Sequence, residues 1–211
     1  MIESISATGK TIPPVVIIQG KHHMEFWYWE KLPNKELILL SESGFISDIL
    51  SYRFLEHFIQ YTSVVSDQPY KLLLIVNHGS HITSEFVLLA MQNNIVPFSF
   101  PAHLTYCMQP LDVGIFQVYK YWHTKAIQTV LETLDFDYTV SSILRDLSEI
   151  LFKTFIKQIV KGAFAKSGMW PVNSQQVQDL MAKYMKAHTP NPELDALPTL
   201  QTETPQTSNE C

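Results

Sequence analysis

The chain has 211 residues, 46% of them hydrophobic and 17% charged, which is enough apolar material for one sizeable core and excludes a disordered chain. Its formal net charge of −5 excludes a globally basic nucleic-acid binder, so any contact with phosphates has to be local. Two cysteines, Cys107 and Cys211, exclude a disulfide framework and fit a reducing compartment, and no stretch approaches the roughly 18 apolar residues of a membrane span, so the expectation is a soluble intracellular protein without a membrane partner.

The chain opens with strand-like segments at Ile2 to Ala7 and Pro14 to Gln19, joined through Thr8-Gly9-Lys10, which predicts a hairpin. The segment Lys21 to Trp29 gathers histidines and large aromatics, and Leu37 to Leu40 is a second short strand. Apolar residues at helical spacing from Ile46 to Tyr61, with Ser47 as N-cap, predict an amphipathic helix. Leu72-Leu73-Leu74-Ile75-Val76 has the length and apolar content of a central strand buried on both faces. A polar turn, Asn77-His78-Gly79-Ser80-His81, leads into a helix over 84–93, a strand over 95–100, a loop over 101–110 and a helix over 111–133. Strand, helix, strand, helix is the pattern of a parallel βαβ unit. Beyond Asp135 one helix is expected over 143–165, with Ile150, Leu151, Phe155, Ile159 and Val160 facing inward, then a helix capped by Ser174. Residues from His188 onward, rich in Pro and polar side chains, read as a disordered tail.

Three blocks in order, Asn77-His78-Gly79-Ser80-His81, Pro101-Ala102-His103-Leu104-Thr105 and Gln109-Pro110-Leu111-Asp112-Val113-Gly114-Ile115-Phe116, resemble the pogo-like DDE superfamily transposase domain. Ile5 to Lys10 with Pro13-Pro14, Ser43-Gly44-Phe45, and Ser167-Gly168-Met169-Trp170-Pro171-Val172-Asn173 resemble flanking parts of the same domain, so the similarity covers roughly residues 1–178. The resemblance implies an α/β, RNase H-like mixed sheet with flanking helices, incomplete at its N-terminus, over residues 1–134. A helical C-terminal part of the same domain follows over 135–187 and the tail over 188–211. It also implies a nuclear location, DNA as partner, association with related transposase chains, and no small-molecule substrate.

Such domains use three carboxylates to hold two divalent metals, because hard cations need converging oxygen ligands and a metal pair stabilises the attacking and leaving oxygens of an in-line displacement. By resemblance, the third acid is Asp112. The second falls at Val76, or at Asn77 if one residue is lost, and neither is acidic; positions 76 and 112 leave 35 residues between them, the spacing the family leads one to expect. The first lies on a strand upstream of the hairpin, and Glu3 is on the wrong strand to replace it. The expectation is therefore a domain without catalysis and without a cofactor, with Asp112 a vestigial metal ligand; the alternatives are a fragment that cleaves and transfers DNA strands with Mg²⁺ or Mn²⁺ when another chain supplies the missing acids, and a relic without function. His78, His81 and His103 are the candidate nucleic-acid contacts.

Blander or competing readings accompany these residues. Near a helix start, the Asp112 carboxylate also suits free N–H groups and the helix dipole. His78, His81 and His103 with Cys107 or Asp112 could be drawn as a zinc set, although nothing in their spacing brings them together. His22, His23, Trp27, Tyr28 and Trp29 could stack on bases, but packing against the chain's own sheet is the stronger expectation. Lys153, Lys157, Lys161 and Lys166 could touch phosphates or simply form a solvated helix face. A Ser80 or Cys107 hydrolase lacks the supporting nucleophile turn.

Overall fold

The computed structural model describes residues 1–28, 35–62, 70–76, 82–101, 103–132 and 139–188. The opening hairpin is present, turned at Ser6 to Lys10, where the Ser6 N–H donates to Lys10 O and the Gly9 N–H to Ser6 O. Its antiparallel pairing is limited to bridges at Ile2 with Val15 and Ile5 with Thr11, because Pro13 and Pro14 cannot donate to a ladder. Regular strand begins only at β1, Val15–Gln19, which pairs in parallel with β2, Leu37–Ser41. Between them, a 3₁₀ turn at Glu25–Tyr28 places Trp27 in a buried cluster with Ile38 and Leu144. Packing is thus the role the structure gives Trp27; His22 and His23 are exposed, and Trp29 lies outside the described residues.

Helix α1, Asp48–Thr62, follows, with the Ser47 hydroxyl accepting from the Leu50 N–H at 3.4 Å as its cap. β3, Lys71–Ile75, helix α2, Ser84–Gln92, and β4, Ile95–Ser99, form the expected parallel βαβ unit, in register from Lys71 with Ile95 to Ile75 with Ser99. Thr83 caps α2, and Asn94, at φ 56°, takes the left-handed conformation that returns the chain into β4; Asn tolerates this better than most residues. Leu55 of α1, Leu73, Phe86, Ala90 and Ile95 form one core cluster on one face of this sheet. On the other face Leu72 and Phe98 are exposed. β1 and β2 make one two-stranded sheet and β3 and β4 another, so the described residues show a mixed α/β architecture rather than one continuous mixed sheet.

The expected loop after β4 contains a short helix α3, Thr105–Met108, and the helix expected from 111 begins with a π-helical turn, Leu111–Ile115, before becoming α4, Phe116–Glu132. The single helix expected over 143–165 is two: α5, Val140–Thr154, and α6, Lys157–Lys166, separated at Phe155 and Ile156. The break has a packing cause. Leu144 of α5 joins the Trp27 cluster, whereas Val160, Ala163 and Phe164 of α6 surround Ile115 of the π turn. Phe155 turns into the latter cluster, so the two helices serve different parts of the core.

Helix α7, Ser174–His188, closes the described chain. Its cap is Asn173, not Ser174: the Asn173 carboxamide oxygen accepts from the Gln176 N–H at 3.2 Å. Residues 189–211, expected as a tail, lie outside the described residues.

Candidate functional site

Parallel strands end together, and in open α/β sheets the crevice beyond their carboxyl ends is where ligands gather. Val76 directly follows β3 and is partly buried; the Phe100 N–H, beyond β4, donates to Ile75 O at 3.0 Å and ties the two strand ends together. Asn77, His78 and His81, which continue from β3, are outside the described residues. His103, beyond β4, is exposed with φ 60°. Cys107 is fully buried, and its thiol donates to Leu104 O at 3.2 Å, so it faces its own turn and not the exposed His103 that a zinc set would require.

Asp112 sits in the first turn of the π-helical segment, whose closing bond runs from the Phe116 N–H to Leu111 O. A π turn inserts an extra residue and redirects side chains, and such turns recur where function requires a particular aim. Burial pushes the Asp112 carboxyl above its ordinary value, opposed by a hydrogen bond from the Thr105 hydroxyl and by the Lys120 ammonium. The Thr105 side chain of α3 thus lies near the carboxyl.

Gly114 explains why the Leu111-Asp112-Val113-Gly114 run can pack as it does. A Cβ there would lie 2.6 Å from Ala163 Cβ and 2.8 Å from Ala163 Cα, closer than carbon atoms can approach. The π turn and α6 thus meet backbone to side chain at a glycine. The late motif is structural in the same way. The Gly168 N–H donates to Ala165 O, the Met169 and Trp170 N–H groups donate to Phe164 O, and Gly168 O accepts from the Asn173 N–H. These bonds end α6 and start α7.

Sequence reasoning set Glu3 aside, yet it is the described acid with the largest displacement. Burial raises its carboxyl from 4.5 to about 7, against the opposing pull of the α-amino group and its own backbone N–H. Tyr119 of α4 is raised as well, by burial and by the charge of Glu3, which places the two groups near each other. Only a fold that brings the hairpin against α4 reveals this, so no local sequence signal could have found it.

Metal chemistry requires more than this site supplies. Asp112 is one carboxylate, with the Thr105 side chain and the Lys120 ammonium near it. The Val76 side chain offers no donor atom. The described residues do not fit a pair of divalent cations.

The family model for the DDE superfamily endonuclease matches residues 1–190, and the chain belongs to that family. The chain is also similar to "MFS-type transporter clz9" of Cochliobolus lunatus, 27% identical over 190 residues, which are 90% of this chain and 21% of that protein. The chain therefore spans about a fifth of that relative's length. Among the described residues no helix is long and apolar enough to cross a membrane. No solved structure matches.

Proposed function

We propose that this chain is a transposase-derived, pogo-like domain of RNase H-like fold that binds nucleic acid without cutting it. The observation that carries the reading is the pairing of a retained Asp112, on its π turn, with Val76 at the end of β3, where the family resemblance leads one to expect an acid. A strand-cleaving site of this class works by metal-held oxygens, and one carboxylate cannot assemble them. What remains useful is the scaffold: crossover strands with His103 beyond the carboxyl end of β4, and with His78 and His81 following β3 in the sequence. On this reading the partner is DNA, bound locally and weakly, in the nucleus, with no cofactor and no small-molecule substrate. The transport named for the relative is not carried over to this chain.

The test is nicking of supercoiled plasmid with Mg²⁺ or Mn²⁺, comparing the chain with its Asp112→Ala variant. The expected outcome is that neither converts plasmid to the open-circular form. Metal-dependent nicking that disappears in Asp112→Ala would overturn the proposal.

A further inference from the structure

Charge is divided unevenly along the chain. Residues 1–115 hold six Lys and Arg against ten Asp and Glu, whereas residues 116–188 hold nine against six. The excess concentrates in α6, which carries Lys157, Lys161 and Lys166 and no acidic residue. Several cations elsewhere are paired: Lys21 with Glu42, Arg53 with Glu56, Arg145 with Asp146 and Lys153 with Glu149. Among the described residues the three α6 lysines enter no ion pair, and all three are exposed. A solvated helix face ordinarily mixes both signs; one sign with no partner raises the local affinity for an anion.

A second feature adjoins this helix. Trp170 is 61% exposed, although its backbone is held by the bond from its N–H to Phe164 O at 3.2 Å. An indole ordered at the backbone but left in water is a ready stacking platform. Val160, Ala163 and Phe164 turn inward toward Ile115, so the remaining face of α6 looks away from the Asp112 turn. Any ligand there is bound apart from the former catalytic position.

From these observations we infer that the outer face of α6 with the Trp170 loop is a binding surface for single-stranded nucleic acid. Lys157, Lys161 and Lys166 neutralise phosphates, and Trp170 stacks on a base, the combination that binds single strands with little sequence preference. The inference rests on the nucleic-acid part of the proposed function and adds where the strand lies and which form is taken.

The test is fluorescence anisotropy of labelled dT20 and of a duplex of equal length against the full chain, as a function of salt. Lys157→Ala/Lys161→Ala/Lys166→Ala is expected to weaken dT20 binding by about tenfold or more at low salt and to make the log–log salt slope shallower by about 2, since each single-strand phosphate contact contributes about 0.7. Because the Lys157 stem packs against Gly9, Lys161→Glu/Lys166→Glu is measured beside it, with the same direction expected. Trp170→Ala is expected to weaken dT20 by about tenfold and leave the duplex almost unaffected. Arg53→Ala, in a surface pair on α1, is expected to change neither. Undiminished dT20 binding by both lysine variants would overturn the surface while leaving the nucleic-acid reading standing. Equal losses for duplex and dT20 in Trp170→Ala, or none, would overturn the single-strand assignment. No binding by the unmodified chain at low salt would overturn both.

Discussion

Glu3 shows how much a single buried group can impose on this fold. Its carboxyl is raised by burial to about 7, so between about pH 4.5 and 7 the folded chain holds a proton that the unfolded chain releases. The sign follows directly: stability is greatest below about 4.5, falls as pH rises to about 7, and is flat beyond. The loss is bounded at about 3 kcal/mol, from 1.36 kcal/mol per pH unit. Glu3→Gln keeps the shape and removes the charge. It is expected to unfold at higher denaturant concentration than the parent at pH 8, with the difference vanishing near pH 4.5; equal pH profiles for the two proteins would show that Glu3 is not the group responsible. Asp112, at the same scale, was legible because a motif surrounds it, whereas the burial that raises its carboxyl and the Glu3–Tyr119 neighbourhood were not. Those contacts join residues far apart in sequence, and no periodicity encodes them.

Elements were legible wherever a local pattern decided them. β3, α2 and β4 were readable because a short apolar run, a helical spacing and a second run lie in succession, and their register needs no distant partner. The break between α5 and α6 was hidden, since no Gly or Pro marks Phe155 and Ile156 and the helical spacing continues through them. Tertiary packing overrides propensity there. The contact of the π turn with α6 is testable in the same terms. Gly114→Ala places a methyl 2.6 Å from Ala163 Cβ and is expected to cost about 1–3 kcal/mol in chemical denaturation. Ala163→Gly alone should cost about 1 kcal/mol through helix propensity. Combined with Gly114→Ala it should cost less than the sum, because the second change removes the closer of the two short contacts, that with Ala163 Cβ, and leaves the 2.8 Å approach to Ala163 Cα. Strict additivity would place the origin of the Gly114 requirement elsewhere.

At the scale of the molecule, two of the three core clusters among the described residues are built across the chain. Ile5 and Ala7 of the hairpin pack with Val160, Ala163 and Phe164 of α6, and Trp27 and Ile38 pack with Leu144 of α5. The third cluster, of Leu55, Leu73, Phe86, Ala90 and Ile95, is drawn from one continuous stretch. Burying each large apolar side chain contributes about 1.5–3 kcal/mol. A chain stopped at residue 134 therefore loses burial comparable in size to the usual net stability of a domain, and leaves Ile115, Trp27 and Ile38 uncovered. The full chain is expected to melt in one cooperative transition, with the backbone amides of β3 and α2 slowest to exchange because their cluster is local. The version ending at 134 is expected to show no cooperative melt. If it melted with the midpoint of the full chain, α5 and α6 would not be part of the core. The hairpin would then need another partner for Ile5 and Ala7.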